Sequence, residues 1–292
     1  MILLAGSTGN IGAPLMRILA ATDAQLRALV RDVSQESAQY EAMRSGNVEV
    51  VAGDLAAPSS LDTALSGIET AFLLTPVSRD QVTWKSNFIQ SAKRARVKRI
   101  VNLSVAGAAP DSPIILGKWH WQSEQELESS GIAWTHLRPY DLARYNTKII
   151  LSTALSQGVF YSTVGDGRIA MVDEEDVAAV AAEALLSPLH AGKVYTLTGP
   201  AALSYPEIAA IMTEFTGKAI HYIDIPAEDA RRGMIGAGLP DWLADFIYDL
   251  GRLESNGGAS AVSPDIEKVT GKPALPYRAT LLSMLHASGA AT

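Results

Sequence analysis

Residues 2–12 read ILLAGSTGNIG, an apolar run of strand length that passes directly into Gly6, Gly9 and Gly12. The segment that follows, APLMRILAA, carries its apolar residues at helical spacing. Strand, glycine turn and helix in that order can hold a dinucleotide pyrophosphate. Gly6 permits the tight turn, Gly9 lets backbone amides approach the phosphates, and Gly12 allows the helix to pack closely on the strand. The positive end of the helix dipole then faces the anion. Thr8, Asn10 and Ile11 lie in the same loop and join the glycines as candidate cofactor contacts. The alternative is a turn that holds no ligand.

The alternation continues outward from this stretch. Strand-like runs recur at QLRALV, VEVVA, TAFLL, RIVNLS, AWTHLR and KVYTLT, with helical segments such as SNFIQSAKRAR between them. Parallel βαβ units follow, because right-handed crossovers cover both faces of such a sheet. Residues 1–200 are therefore expected to form an α/β domain, a doubly wound parallel sheet of the Rossmann type that binds NAD(P). After VYTLTGP the texture turns helical. Ser204 and Glu207 are spaced as a capping box, and Gly217 should end the helix they begin. AIHYIDI is strand-like, and AEDARRGMIGAGLPDWLADFIYDL is helical with a Gly-Pro break. Residues 201–292 are expected to form a smaller, mainly helical C-terminal lobe that covers the carboxyl ends of the strands and takes the substrate.

Charge and composition exclude several classes. Lys and Arg total 24 against 31 Asp and Glu, a formal charge of −7 without long runs of one sign, so nucleic acid and anionic membrane are not expected partners. The chain has no cysteine, which removes disulfides, thiolate nucleophiles and cysteine-ligated metals. Its five histidines are scattered and form no HExxH pair, so no metal is expected. The first apolar run has no basic segment before it and stops at Gly6, unlike an export signal. VAAVAAEALL is interrupted by Glu183 and falls short of the roughly 18 apolar residues of a membrane span. A cytoplasmic location is expected.

The end of the second strand bears on the choice of nucleotide. An NAD site commonly places an acid there for the ribose 2′-hydroxyl, whereas this chain has Arg31 in ALVRD. A guanidinium suits a 2′-phosphate, which its planar fork can bind through two hydrogen bonds. NADP is therefore the expected cofactor. The competing role for Arg31 is a solvated residue paired with Asp32 or Glu36.

LLAGSTGNIG, LVRD, VVAGDL, FLLTP, VKRIVNLS and SGIAWTHLRP resemble, in order and spacing, the NmrA-like atypical members of the short-chain dehydrogenase/reductase superfamily. The nearest likeness is to the branch of NAD(P)H:quinone oxidoreductase and triphenylmethane reductase. It continues through GVFYSTVGDGRIAMVDEEDVA, GKVYTLTG and GLPDWLADF, nearly the whole chain. The resemblance implies that Asp54 contacts the adenine amino group and that Leu55 lines its pocket. It also implies that Thr75 and Pro76 lie along the cofactor. On sequence alone Asp54 can equally cap the next helix, and Pro76 can simply end a strand.

Typical members of the superfamily use Ser with Tyr-x-x-x-Lys, in which Tyr moves the proton, Lys lowers its pKa and Ser orients the carbonyl. Here Ser104 occupies the Ser position, while alignment on Glu124 puts Leu116 at the Tyr position and His120 at the Lys position. The Tyr is absent, and with it the argument for carbonyl reduction. His120 can serve as a weak acid, bind the nicotinamide ribose, or be a buried structural histidine. Lys118 is expected in solvent. Trp119 and Trp121 can wall a flat substrate or pack on the sheet. Past the sixth strand stand Arg138, Pro139, Tyr140 and Asn146. Tyr140 can supply the missing phenol or pack under the lobe, and Arg138 can form a structural ion pair.

An acceptor that is already electrophilic needs little more than a well-placed nicotinamide. The expected function is thus an oxidoreductase that passes hydride from NADPH to a quinone or other conjugated, aromatic small molecule. A non-catalytic NADP-sensing regulator with a protein partner is the alternative. A nucleotide-sugar epimerase ranks last, because it generally needs the absent Tyr-Lys pair.

Overall fold

In the computed structural model, which describes residues 1–33 and 46–288, the opening run forms β1 (Ile2–Ala5) inside a seven-stranded sheet. β2 (Leu26–Val30) lies on one side of it and β3 (Val48–Ala52) beyond that. On the other side come β4 (Thr70–Leu73), β5 (Arg99–Leu103), β6 (Ala133–Pro139) and β9 (Lys193–Leu197). The pairs from β3 across to β6 are parallel. The chain winds outward one way from β1 and then the other from β4, so the switch point falls between them, where doubly wound sheets open to ligand. Every residue of β1 and β4 is buried, as strands covered on both faces must be.

Helices α1 (Gly12–Ala20), α2 (Pro58–Leu65), α3 (Gln81–Arg94) and α4 (Ile115–Ser129) follow β1, β3, β4 and β5. α2 and α3 bury an apolar stripe against the sheet, where Leu61, Leu65, Phe88 and Ile89 meet Leu3, Leu29 and Leu73. This unit comprises residues 1–112, 116–139 and 174–196, the last segment supplying the helix Glu174–Leu186.

The second unit comprises residues 113–115, 140–173 and 197–292. The lobe expected over 201–292 is thus one part of a unit that also takes in 140–173. Strand pairing accounts for the difference. β7 (Val159–Ser162) pairs in parallel with β11 (His221–Asp224), and β8 (Arg168–Ile169) pairs antiparallel with β10 (Leu203–Ser204). The unit is mainly helical, with α5 (Ala143–Gln157), α7 (Tyr205–Thr216), α8 (Ala227–Gly236) and α9 (Asp241–Ser255) among its elements. Phe160, Tyr205, Ile208, Met212, Leu281 and Leu285 form its core. The capping box of Ser204 and Glu207 is present, and Gly217 ends α7 at φ 67°. Among the described residues no helix is long and apolar enough to cross a membrane.

Candidate active site

The glycine loop leaves β1 with Gly6 at φ +75°, a conformation that L side chains rarely adopt. The Gly9 N–H donates to the Gly6 carbonyl at 3.0 Å and closes the turn. A Cβ on Gly12 would lie 1.9 Å from the Gly6 oxygen, whereas a Cβ on Gly9 would meet only that oxygen, at 3.4 Å. Gly12 therefore serves packing, and the space above Gly9 is open. Ile11 at the N-cap makes no side-chain hydrogen bond, and the first turn of α1 carries no acid. The Ala13 N–H is taken by the Gly9 carbonyl and Pro14 has none, but the positive end of that helix dipole, with no acid on it, faces an external anion.

Beside the loop, successive strand ends each hold a buried hydroxyl without a hydrogen-bond partner among the described residues: Ser7 after β1, Thr75 after β4 and Ser104 after β5. A buried hydroxyl left unsatisfied costs about 1–3 kcal/mol. A dinucleotide supplies phosphate oxygens, ribose hydroxyls and a carboxamide that can pair with such groups, so the residues present fit that ligand.

The other expected cofactor contacts ring the same strand ends. Arg31 is exposed just past β2; Glu36, its suggested pairing partner, lies outside the described residues. Asp54 is exposed past β3, and its Oδ1 accepts the Ala56 N–H at 2.8 Å. It shapes the turn rather than capping α2, whose N-cap is Ala57. Leu55 is half-buried against the core, and its carbonyl accepts a bond from Asn87 Nδ2 at 2.9 Å. Pro76 is exposed beyond β4.

His120 lies on the buried face of α4 with Leu116, Ser123, Glu124 and Leu127. What the sequence reading missed is its neighbour. Lys85, on α3, is wholly buried and donates to Asn102 Oδ1 at 2.8 Å and to the Leu103 carbonyl at 2.7 Å, while its Nζ lies 3.2 Å from His120 Nδ1. The signal was present: Gln81, Lys85, Phe88, Ile89 and Ala92 are one helical stripe, and a lysine inside an apolar stripe must find buried partners. Burial pulls the Lys85 ammonium down to about 7 against the pull of Glu124. Burial and then the nearby Lys85 and His136 charges hold His120 well below the usual histidine range. The ring is neutral at pH 7.

The polar cluster continues inward. Asn102 Nδ2 lies 3.2 Å from His136 Nδ1, and His136 stacks on Trp134 with ring centroids 4.5 Å apart. Burial drops His136 to about 4 despite Glu124. Its Nε2 is 3.3 Å from Glu128 Oε1 without hydrogen-bond alignment. Glu124, Glu128 and His136 have metal-like spacing, but Arg138 occupies Glu124, with Nε donating to Oε1 at 3.0 Å and Nη2 to Oε2. Arg138 thus takes the structural ion-pair role.

Ser104 and His120 belong to the first unit, joined through Lys85, which bonds the carbonyl of Leu103 just before Ser104. Tyr140 belongs to the second unit and packs, partly buried, on its core. Asn146 also lies there and donates to Asp141 Oδ2 at 2.8 Å. Lys118 is exposed, and Trp119 and Trp121 are half-buried.

A doubly wound sheet with a glycine-rich, anion-accepting loop at its switch point defines a Rossmann-type, dinucleotide-binding class of protein. Within that class the chain belongs to the NmrA-like family, whose profile matches residues 1–272. It is similar to the NAD(P)H azoreductase of Xenophilus azovorans, 36% identical over 291 residues and 100% of both chains. Among solved structures it resembles the NADPH-dependent quinone oxidoreductase of Escherichia coli in complex with NADPH, at TM-score 0.86 and 32% identity over 98% of this chain and 100% of that one. It also resembles the Citrobacter triphenylmethane reductase complexed with NADP(H), at TM-score 0.85 and 25% identity over 97% and 99%.

Proposed function

We propose that this chain is an NADPH-dependent reductase that passes hydride to a quinone or another conjugated small-molecule acceptor. The observation that carries the reading is the row of hydroxyls without a partner among the described residues, Ser7, Thr75 and Ser104, beside an open glycine loop at the switch point. The relatives named above act, by name, on azo compounds, quinones and triphenylmethane dyes, all conjugated acceptors.

Bound NADPH supplies the hydride. The amides of residues 10–12 hold the pyrophosphate, and Gly9 gives it room. Arg31 engages the 2′-phosphate; Asp54 and Leu55 border the adenine, and Thr75 and Pro76 flank the nicotinamide half. Ser104 donates to the nicotinamide side or the acceptor. With Leu116 in the place of a tyrosine, α4 offers no phenol beside His120, so reduction of a quinone to the hydroquinone draws its proton from water or through neutral His120. Positioning supplies most of the rate.

Titration should show NADPH binding more tightly than NADH, with Arg31→Ala narrowing the gap by about 1–3 kcal/mol, the scale of a charge-assisted hydrogen bond. Equal affinities in the parent would remove Arg31 from the site. The activity test follows NADPH absorbance with quinones, azo dyes and triphenylmethane dyes beside simple ketones. Turnover of the conjugated acceptors and none of the ketones is expected, and His120→Ala should slow the former by about 10- to 100-fold. Rapid reduction of simple ketones would require a strong general acid and overturn this mechanism. Tight NADPH binding with no oxidation by any acceptor would favour the sensing role instead.

A further inference from the structure

We propose that Lys85 is a positioning residue for His120, donating to Nδ1 and so fixing the ring hydrogen on Nε2, from which His120 donates to cofactor or acceptor. This deepens the reductase reading and rests on it. The geometry comes first. Lys85 Nζ has three directions occupied, by Asn102 Oδ1 at 2.8 Å, the Leu103 carbonyl at 2.7 Å and His120 Nδ1 at 3.2 Å. An ammonium has three N–H donors and no acceptor. When charged it can face Nδ1 only as donor, so Nδ1 carries the lone pair and Nε2 carries the hydrogen. The Nε2 atom has no hydrogen bond among the described residues, and His120 is 8% exposed. The donor that the superfamily's typical lysine would place on its own helix is here built from two helices.

The surrounding charges keep Lys85 titratable in the working range. From α4 it faces Glu124, which favours the ammonium, and neutral His120; from β5 it faces Asn102 and the Leu103 carbonyl. His136, on β6, is also neutral, and Arg138 is tied to Glu124. Burial outweighs Glu124 and places the ammonium near 7. Below that point Lys85 is a fixed donor to Nδ1. Above it the neutral amine can accept as well as donate, and the imidazole tautomer is released.

Ring ¹⁵N NMR of the full chain reads the tautomer without any activity. At pH 6 His120 should be neutral with hydrogen on Nε2, mixed tautomers should grow in by pH 9, and Lys85→Met should give the mixed signal throughout. Kinetics supply the second reading. The parent's kcat/KM should fall about tenfold as pH rises through 7, Lys85→Met should be low and flat, and Lys85→Met/His120→Ala should be no slower than His120→Ala alone. A hydrogen on Nδ1 in the parent at pH 6, or losses that multiply in the double variant, would overturn the proposal. If Lys85→Met fails to fold, the parent's tautomer and its pH dependence still decide. A parent that oxidises no NADPH but shows the Nε2 hydrogen at pH 6 and its loss by pH 9 would defeat the reductase reading while leaving the Lys85–His120 arrangement in place.

Discussion

Gly9→Val should lose NADPH affinity by about a hundredfold or more, roughly 2.7 kcal/mol, with a thermal midpoint within a few degrees of the parent's. The reason lies in what each glycine of the loop touches. At Gly9 a Cβ meets nothing but the Gly6 oxygen at 3.4 Å, so the protein accepts it and the branched side chain extends into the phosphate space. Gly12→Ala makes the contrast. Its Cβ would sit 1.9 Å from a backbone oxygen and 2.7 Å from the adjoining carbon, neither of which can move without opening the turn. That variant should lose about 3 kcal/mol or more of stability and bind NADPH poorly because the loop is displaced. Calorimetric titration and thermal melts on both variants separate the two roles. Normal NADPH binding by Gly9→Val would put the pyrophosphate elsewhere.

The strand-turn-helix at residues 2–20 is legible because its determinants are local. The apolar run, the glycine spacing and the helical stripe all lie within a few turns of chain. The capping box at Ser204 and the left-handed Gly217 are legible for the same reason. Residues 159–169 are not, since β7 and β8 owe their existence to partners at 221–224 and 203–204, and a two-residue strand has no periodicity to read. The same distance hid the polar cluster. SNFIQSAKRAR begins one residue after Lys85, and the partners of that lysine are 17 and 35 residues further on, on another strand and another helix. His120 could be singled out as a residue type at a suggestive position, but what makes it a fixed donor is a contact that no short window contains. Arg138 shows the converse. A guanidinium at a strand end looks like a ligand contact, and only its two bonds to the buried Glu124 assign it to structure.

Glu254→Gln should make the protein more stable than the parent at pH 8 while leaving the two close to one another near pH 5. Glu254, at the end of α9, is buried against Asp141, and both belong to the second unit. Burial, then the Asp141 charge and its hydrogen bond, push the Glu254 carboxyl up to about 10. Asp141 is itself raised by burial, with bonds from Glu254 and Asn146 opposing. The folded pair therefore keeps one proton at neutral pH, Glu254 donating to Asp141, while the unfolded chain ionises both carboxyls above about 4.5. A raised carboxyl contributes its full stability below the unfolded pKa and loses it progressively as pH climbs toward the folded one. From about pH 5 upward the parent should lose about 1.4 kcal/mol per pH unit on account of this one proton. Glutamine retains an N–H donor toward Asp141 and has no proton to release. The stability gap between variant and parent should thus widen by about 2–3 kcal/mol between pH 6 and pH 8, read as urea unfolding midpoints of the full chain at the two values. Parallel pH dependences would mean that Glu254 is ionised in the folded protein. In that case a cation or a rearranged neighbour would have to balance the two adjacent carboxylates.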